Sequence, residues 1–141
     1  MTQAPAPGGA PLVGIVLVSH SARVAEAVAE LATGLSGGAT KVPVVPAGGA
    51  PDGGLGTSSD LIAEAARSVD RGAGIAVLAD LGSAVLTVKA LLADDELPPG
   101  ARLIDAPFLE GAVAAVVTAS TGADLDTVQS AATDAYTFHK T

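Results

Sequence analysis

Apolar positions along this chain follow two kinds of pattern. Short unbroken runs, Val13 to Val18 and Gly74 to Ala79, read as parallel strands covered on both faces. Between them, apolar residues recur every three or four positions, the spacing of one helix face. Val24, Val28, Leu31 and Leu35 predict the buried face of a first helix that ends at Gly37-Gly38. Val42 to Val45 predicts a short second strand, and Pro43 within it points to a sheet edge, because proline donates nothing to a ladder. A glycine-rich loop, Ala47 to Gly56, leads to capping residues Thr57-Ser58-Ser59-Asp60 and a second helix burying Ile62, Ala65 and Val69. After the third strand, Asp80-Leu81-Gly82-Ser83-Ala84 turns into a third helix with Val85, Val88 and Leu92 inward. Pro98-Pro99-Gly100 is a turn, and Arg102 to Asp105 a fourth strand. A fourth helix after Pro107 buries Val113 and Val116 or Val117, and a fifth carries Leu125, Val128, Ala132 and Ala135.

Strands alternating with helices predict an α/β fold: a doubly wound, mainly parallel central sheet of four or five strands with helices on both faces. The length, 141 residues, suits one domain over 13–141. Met1 to Leu12, rich in Ala, Pro and Gly, is expected to be a disordered lead-in without the charge and apolar core of an export signal. With three aromatic residues, Phe108, Tyr136 and Phe138, the core is built from Ala, Val, Leu and Ile, which lets helices lie close to the sheet.

The formal net charge of −8 opposes nucleic-acid backbones and anionic membrane surfaces as partners. The absence of cysteine removes disulfides, thiolate metal sites and cysteine nucleophiles, and it fits a reducing compartment. A cytoplasmic protein without a cofactor of its own is expected, and no His/Asp/Glu set has metal-ligand spacing.

Chemistry concentrates where two predicted strands end. His20 follows the first and Asp80 the third, and ligands of open α/β sheets gather beyond such carboxyl ends, at the switch point between neighbouring strands. A carboxylate that takes the proton of one imidazole nitrogen fixes the tautomer and leaves the other nitrogen free to attack. The alternative is that His20 is a turn residue and Asp80 the N-cap of the third helix. Ser19 and Ser21, beside the histidine, suit either anion binding or capping of the first helix. Gly82 and Ser83 expose backbone N–H groups suited to a phosphoryl group, or simply form a tight turn. In the glycine-rich loop, the Gly-Lys-[Ser/Thr] ending of a P-loop is missing, so a flexible loop near the crevice is expected, with Thr57 and Ser58 at its helical end better placed to donate. His139, beside Lys140 near the carboxyl end, reads as a solvated residue.

Three segments, Gly14-Ile15-Val16-Leu17-Val18-Ser19-His20-Ser21, Gly56-Thr57-Ser58 and Asp80-Leu81-Gly82-Ser83-Ala84, together resemble the mannose-type enzyme IIA domains of the phosphoenolpyruvate-dependent phosphotransferase system. Within that family the likeness is stronger to the phosphotransfer subunits of bacterial dihydroxyacetone kinases. Sugar-transporting members read Gly-Gly-Ser-Pro after the aspartate, whereas this chain has Gly82-Ser83-Ala84-Val85. The middle segment departs from the kinase subunits, which carry an acidic residue where Ser58 stands.

The resemblance implies that His20 is phosphorylated by the phosphocarrier HPr, with Asp80 as its carboxylate partner. The phosphoryl group then passes to ADP on the nucleotide-binding subunit of dihydroxyacetone kinase. It implies phosphoryl contacts from Ser21, Thr57, Ser58, Gly82 and Ser83, no metal at this site, and a homodimer. Some relatives carry HPr-like and enzyme I-like domains downstream; this chain ends at Thr141, so the donor is expected to be a separate protein. Two other readings stand beside this one: a IIA subunit that hands phosphate to a sugar-transporter IIB protein, and a non-catalytic regulatory module in which His20 is incidental.

Overall fold

The computed structural model describes residues 10–37 and 40–141. Its four strands are β1 (Gly14–Ser19), β2 (Val44–Gly48), β3 (Ile75–Ala79) and β4 (Ala101–Leu103). Its helices are α1 (Ala22–Leu35), α2 (Ser59–Ser68), α3 (Gly82–Ala93), α4 (Phe108–Ser120) and α5 (Leu125–Asp134), followed by one 3₁₀ turn at Ala135–Thr137. Every strand pair is parallel and the order across the sheet is β2-β1-β3-β4. The chain leaves β1 for β2 on one side and returns to β3 on the other. The carboxyl ends of β1 and β3 therefore flank the switch point, with Val18 paired to Ala79.

All residues of β1 and β3 are buried, as continuous apolar runs demand. Alternation divides them between two cores. Ile15, Leu17, Ala76 and Leu78 pack with residues of α1, α4 and α5, while Val16, Val18, Val77 and Ala79 pack with those of α2 and α3. Each fully buried Val, Leu or Ile contributes about 1.5–3 kcal/mol over an exposed one.

The predicted face of α1 is corrected by the structure. Ala25, Val28, Ala29 and Ala32 are buried, whereas Val24, Leu31 and Leu35 are exposed. The helix has two apolar stripes, and its small one faces inward. Gly48 shows how close the helix lies: a Cβ there would stand 2.5 Å from the Ser21 carbonyl oxygen and 2.8 Å from Ala22 Cα. In α3 the buried line is Ala84, Val88 and Leu91, with Val85 and Leu92 only partly covered. Val116, not Val117, is the buried valine of α4, and Val113 is half-buried. Ile62, Ala65 and Val69, and all four expected residues of the last helix, are buried.

Strand boundaries shift at the edges. The second strand begins at Val44, not Val42, and takes in Ala47 and Gly48, because pairing to β1 sets its register from Ile15–Val44 to Ser19–Gly48. It is an edge strand, as expected, and accommodates Pro46 there. The fourth strand ends at Leu103, after which the Ile104 N–H still bonds the Val77 carbonyl at 2.9 Å. Of the expected lead-in, residues 1–9 lie outside the described residues, as does Gly38 at the end of the first helix. Leu12 packs against the core. Among the described residues no helix is long and apolar enough to cross a membrane, and no group of three His, Asp or Glu side chains could hold a metal ion.

Candidate functional site

Parallel pairing of β1 with β3 brings Ser19, His20 and Asp80 together at the carboxyl edge of the sheet. The Asp80 N–H still donates to the Val18 carbonyl at 3.1 Å, so both chain segments leave the sheet in step. His20 Nδ1 lies 2.9 Å from Asp80 Oδ1, and the His20 backbone N–H donates to Oδ2 at 3.1 Å. The Ser19 hydroxyl donates to Oδ2 at 2.8 Å, and the Leu81 N–H to Oδ1 at 2.7 Å.

An ionised carboxylate only accepts, so Nδ1 carries a proton, and in the neutral ring it is Nε2 that holds the lone pair. Nε2 meets the Ser83 hydroxyl. Burial pushes the Asp80 carboxyl up, but the bonds from Ser19, the His20 ring and the His20 and Leu81 N–H groups outweigh it and hold the group below the ordinary aspartate range. The side chains of His20 and Asp80 are 24% and 16% exposed, so the pair is partly open to solvent.

Asp80 does not cap α3. The N-cap there is Leu81, whose side chain makes no capping bond, and Asp80 directs both oxygens toward β1 and the turn. The first N–H groups of a helix have no intrahelical acceptor. Without a side-chain cap, those of Gly82 and Ser83 have no acceptor among the described residues and can receive an anion beside Nε2.

The glycine-rich loop holds the opposite side of the site. The Gly49 N–H bonds the Ser19 carbonyl at 3.1 Å and the Gly56 N–H bonds the His20 carbonyl at 2.9 Å. Gly49 and Gly56 adopt positive φ of 86° and 142°, a backbone region that suits glycine. Bonds from Ala50 N–H to the Gly54 carbonyl and from Gly54 N–H to Asp52 Oδ1, both 2.8 Å, close the loop on itself. The expected flexible loop is thus internally bonded and tied to the histidine backbone.

The remaining expected residues surround His20 without bonding its ring among the described residues. Ser21 caps α1 through the Val24 N–H at 3.3 Å, and Ser58 caps α2 through the Leu61 N–H at 3.2 Å. Both oxygens act there as acceptors, which leaves each hydroxyl hydrogen free. Thr57 Oγ1 pairs with Thr87 Oγ1 at 3.1 Å, and Thr87 donates to the Ser83 carbonyl at 2.9 Å. Since the Thr87 hydrogen goes to Ser83, Thr57 is the donor between the two threonines. Thr87 escaped the sequence reading, although its place four residues after Ser83 is the spacing for such a back-bond. Ser19 neither faces a bound anion nor caps a helix: it is fully buried behind Asp80, to whose carboxylate it donates. His139 is exposed near the carboxyl end. Beyond Asp80, a cleft of about 400 Å³ opens between α3 and the end of β4, lined by Val85, Lys89, Asp105 and Tyr136 among others.

Comparison with known proteins follows the same lines. The family model described as "PTS system fructose IIA component" (EIIA-man) matches residues 14–129. The phosphoryl donor subunit DhaM of PEP-dependent dihydroxyacetone kinase 2 from Listeria innocua serovar 6a is 36% identical over 108 residues, which is 75% of this chain and 85% of that protein. The DhaM subunit of PEP-dependent dihydroxyacetone kinase from Escherichia coli (strain K12) is 37% identical over 120 residues, 83% of this chain. The chain spans only 25% of the length of that relative and of the one from Pantoea ananatis. Among solved structures, "unknown function protein EF1359" superposes with a TM-score of 0.74 at 32% identity, over 87% of this chain and 94% of that one. A sigma-54 interaction domain protein from Enterococcus faecalis shares the fold, with a TM-score of 0.57 at 20% identity over 85% of this chain and 87% of that one. The chain belongs to the mannose-type IIA family of the phosphotransferase system.

Proposed function

We propose that this domain is a phosphohistidine carrier: His20 accepts a phosphoryl group from HPr and passes it to ADP on the nucleotide-binding subunit of a dihydroxyacetone kinase. One observation carries the reading. At the switch point Asp80 occupies Nδ1 of His20, while Nε2 meets Ser83 at the uncapped start of α3. The names of the relatives, phosphoryl donor subunits of PEP-dependent dihydroxyacetone kinases, support the choice of acceptor.

In the forward step the Nε2 lone pair attacks phosphorus in line with the nitrogen–phosphorus bond of the donor phosphohistidine. That bond breaks as the new one forms, and the donor imidazole leaves with the electron pair; no proton need move. The transition state is loose, so positioning and charge supply most of the catalysis. The His20 ring gains positive character while its Nδ1–H stays hydrogen-bonded to Asp80, whose ionised carboxylate offsets that charge. Ser83 turns its hydroxyl from Nε2 to a phosphoryl oxygen, joined by the Gly82 N–H and the hydroxyls of Ser21 and Ser58. Thr57 adds its hydroxyl by releasing Thr87. In the second step the β-phosphate of ADP attacks, and His20 leaves as the neutral Nδ1–H imidazole.

Both partners must cover the same crevice. Leu55 in the loop and Leu81 and Leu86 at the start of α3, between 64% and 83% exposed, suit a protein surface. The carrier works in the cytoplasm, as a homodimer. An apolar groove between α1 and α4, bordered by Leu31, Leu35, Leu109, Val117 and Phe138, supports a second copy as a partner.

Labelled phosphoenolpyruvate with enzyme I and HPr tests the reading. The chain should take up one acid-labile, base-stable phosphoryl group, and His20→Ala should take up none while keeping its circular dichroism. An unlabelled wild-type chain, or label lost only on changing His139, defeats it. The description of the family model as a fructose IIA component supports the other acceptor, a sugar-transporter IIB protein. Discharge of the label to ADP only when the kinase subunits are present separates the two.

A further inference from the structure

We propose that Ser19 is a positioning residue for this transfer, its buried hydroxyl locking the Asp80 carboxylate in the orientation that reaches His20 Nδ1 and so presents Nε2 to the phosphoryl group. The inference rests on the carrier reading above but stands on its own geometry. Four donors converge on Asp80: the Ser19 hydroxyl and His20 N–H on Oδ2, and the His20 ring and Leu81 N–H on Oδ1. Together they occupy the acceptor sites a carboxylate offers. Two of the four are backbone groups that any sequence would supply. Ser19 is, among the described residues, the one side chain besides His20 itself that holds the carboxylate.

The direction of the Ser19 hydroxyl is determined. Its oxygen accepts the Ser21 N–H at 3.1 Å, and its hydrogen can go to Asp80 because an ionised carboxylate has none to give. The side chain is fully buried, so water cannot replace the hydroxyl when it is removed. The same oxygen therefore ties together the end of β1, the N-cap residue of α1 and the carboxylate. Without it, Oδ2 keeps only the His20 N–H, and three donors instead of four hold the orientation of the carboxylate. The Nδ1–H tautomer of His20 is then held by a looser partner, and a second tautomer gains population. The effect on the carboxyl runs the same way, since the Ser19 bond is the largest of the influences that hold Asp80 low against its burial.

Two variants, Ser19→Ala and the nearly isosteric Ser19→Cys, test this, the second in case the first does not fold. Carbon-13 NMR titration of the Asp80 carboxyl in the full chain needs no phosphoryl donor. It should show the midpoint raised in Ser19→Ala and raised less in Ser19→Cys, while nitrogen-15 shifts of His20 show a second tautomer. Transfer from phospho-HPr should slow by about tenfold in Ser19→Ala, the scale expected for losing one hydrogen bond to a charged group. In an Asp80→Asn background the same change should cost less than about twofold, because residues acting through one another do not add. An unmoved Asp80 midpoint, or an equal slowing with and without the carboxylate, overturns the proposal and leaves Ser19 a packing residue. If the wild-type chain takes no label, the carrier reading fails, and the titration still decides whether Ser19 holds Asp80.

Discussion

Asp80 holds His20 twice: Oδ1 stands 2.9 Å from the ring at Nδ1 while Oδ2 accepts the backbone N–H of the same residue at 3.1 Å. Ring and backbone of the histidine are thus referred to one carboxylate sixty residues away. A hinge at either place would let the imidazole turn. With both held, Nε2 has one direction to face.

Removing the charge while keeping the shape tests that arrangement. Asp80→Asn retains acceptor capacity on one side, and Leu81 rather than Asp80 is the N-cap of α3, so the helix start should survive. Transfer to His20 is expected to slow by at least about tenfold, or about 1.4 kcal/mol of barrier. Quench-flow with phospho-HPr measures it. Unchanged transfer together with a large loss of thermal stability would show that the carboxylate serves the fold alone.

The same carboxylate gives the stability a sign with pH. Asp80 titrates below its ordinary value of 3.8 in the folded protein, so its contribution is complete above that value. As pH falls from 3.8 through the lower folded value, protonation removes it. Urea unfolding of wild type and Asp80→Asn between pH 3 and 6 should therefore show the wild-type advantage narrowing at the acid end. A gap that widens on acidification would contradict the pairing.

Gly48 and Gly82 make a matched pair of glycine substitutions. A Cβ at Gly48 would meet backbone atoms of Ser21 and Ala22 at 2.5 and 2.8 Å, and backbone cannot swing aside. Gly48→Ala should cost about 1–3 kcal/mol, the range for overpacking, and slow transfer by displacing the start of α1. At Gly82 nothing lies within 4 Å of the added carbon. Gly82→Ala should leave stability within about 0.5 kcal/mol, as for surface sites. Denaturant midpoints decide both; equal effects at the two positions would refute the close approach of α1 to β2.

The groove between α1 and α4 predicts concentration-dependent association. Sedimentation of the wild-type chain at micromolar concentration should give one species near twice the 13.6 kDa chain mass. Leu35→Glu and Leu109→Glu, which place charge on exposed groove residues, should shift it to the monomer with the fold intact. A monomer at every concentration excludes the dimer without touching the transfer chemistry.

The strands of the inner sheet were legible in the chain because burial on both faces leaves a local mark: Val16 and Leu78 sit in runs with no polar residue at all. For the same reason His20 and Asp80 were legible as a pair, each a titratable side chain just beyond the end of such a run. The covered face of α1 was not. Its Ala25-Ala29-Ala32 stripe and its Leu31–Leu35 stripe have the same helical period, and the approach of β2 at Gly48 selects the smaller. The register that draws Ala47 and Gly48 into β2, with Pro46 on the open edge, depends likewise on pairing with β1. Ser19 reads in the chain as an anion donor or a helix cap and Thr87 carries no signal, and folding sets one behind Asp80 and the other between Thr57 and the Ser83 carbonyl. Periodicity records only what a residue's own neighbours bury. A hydrogen bond across sixty-one positions is written nowhere until parallel strands bring its ends to 2.8 Å.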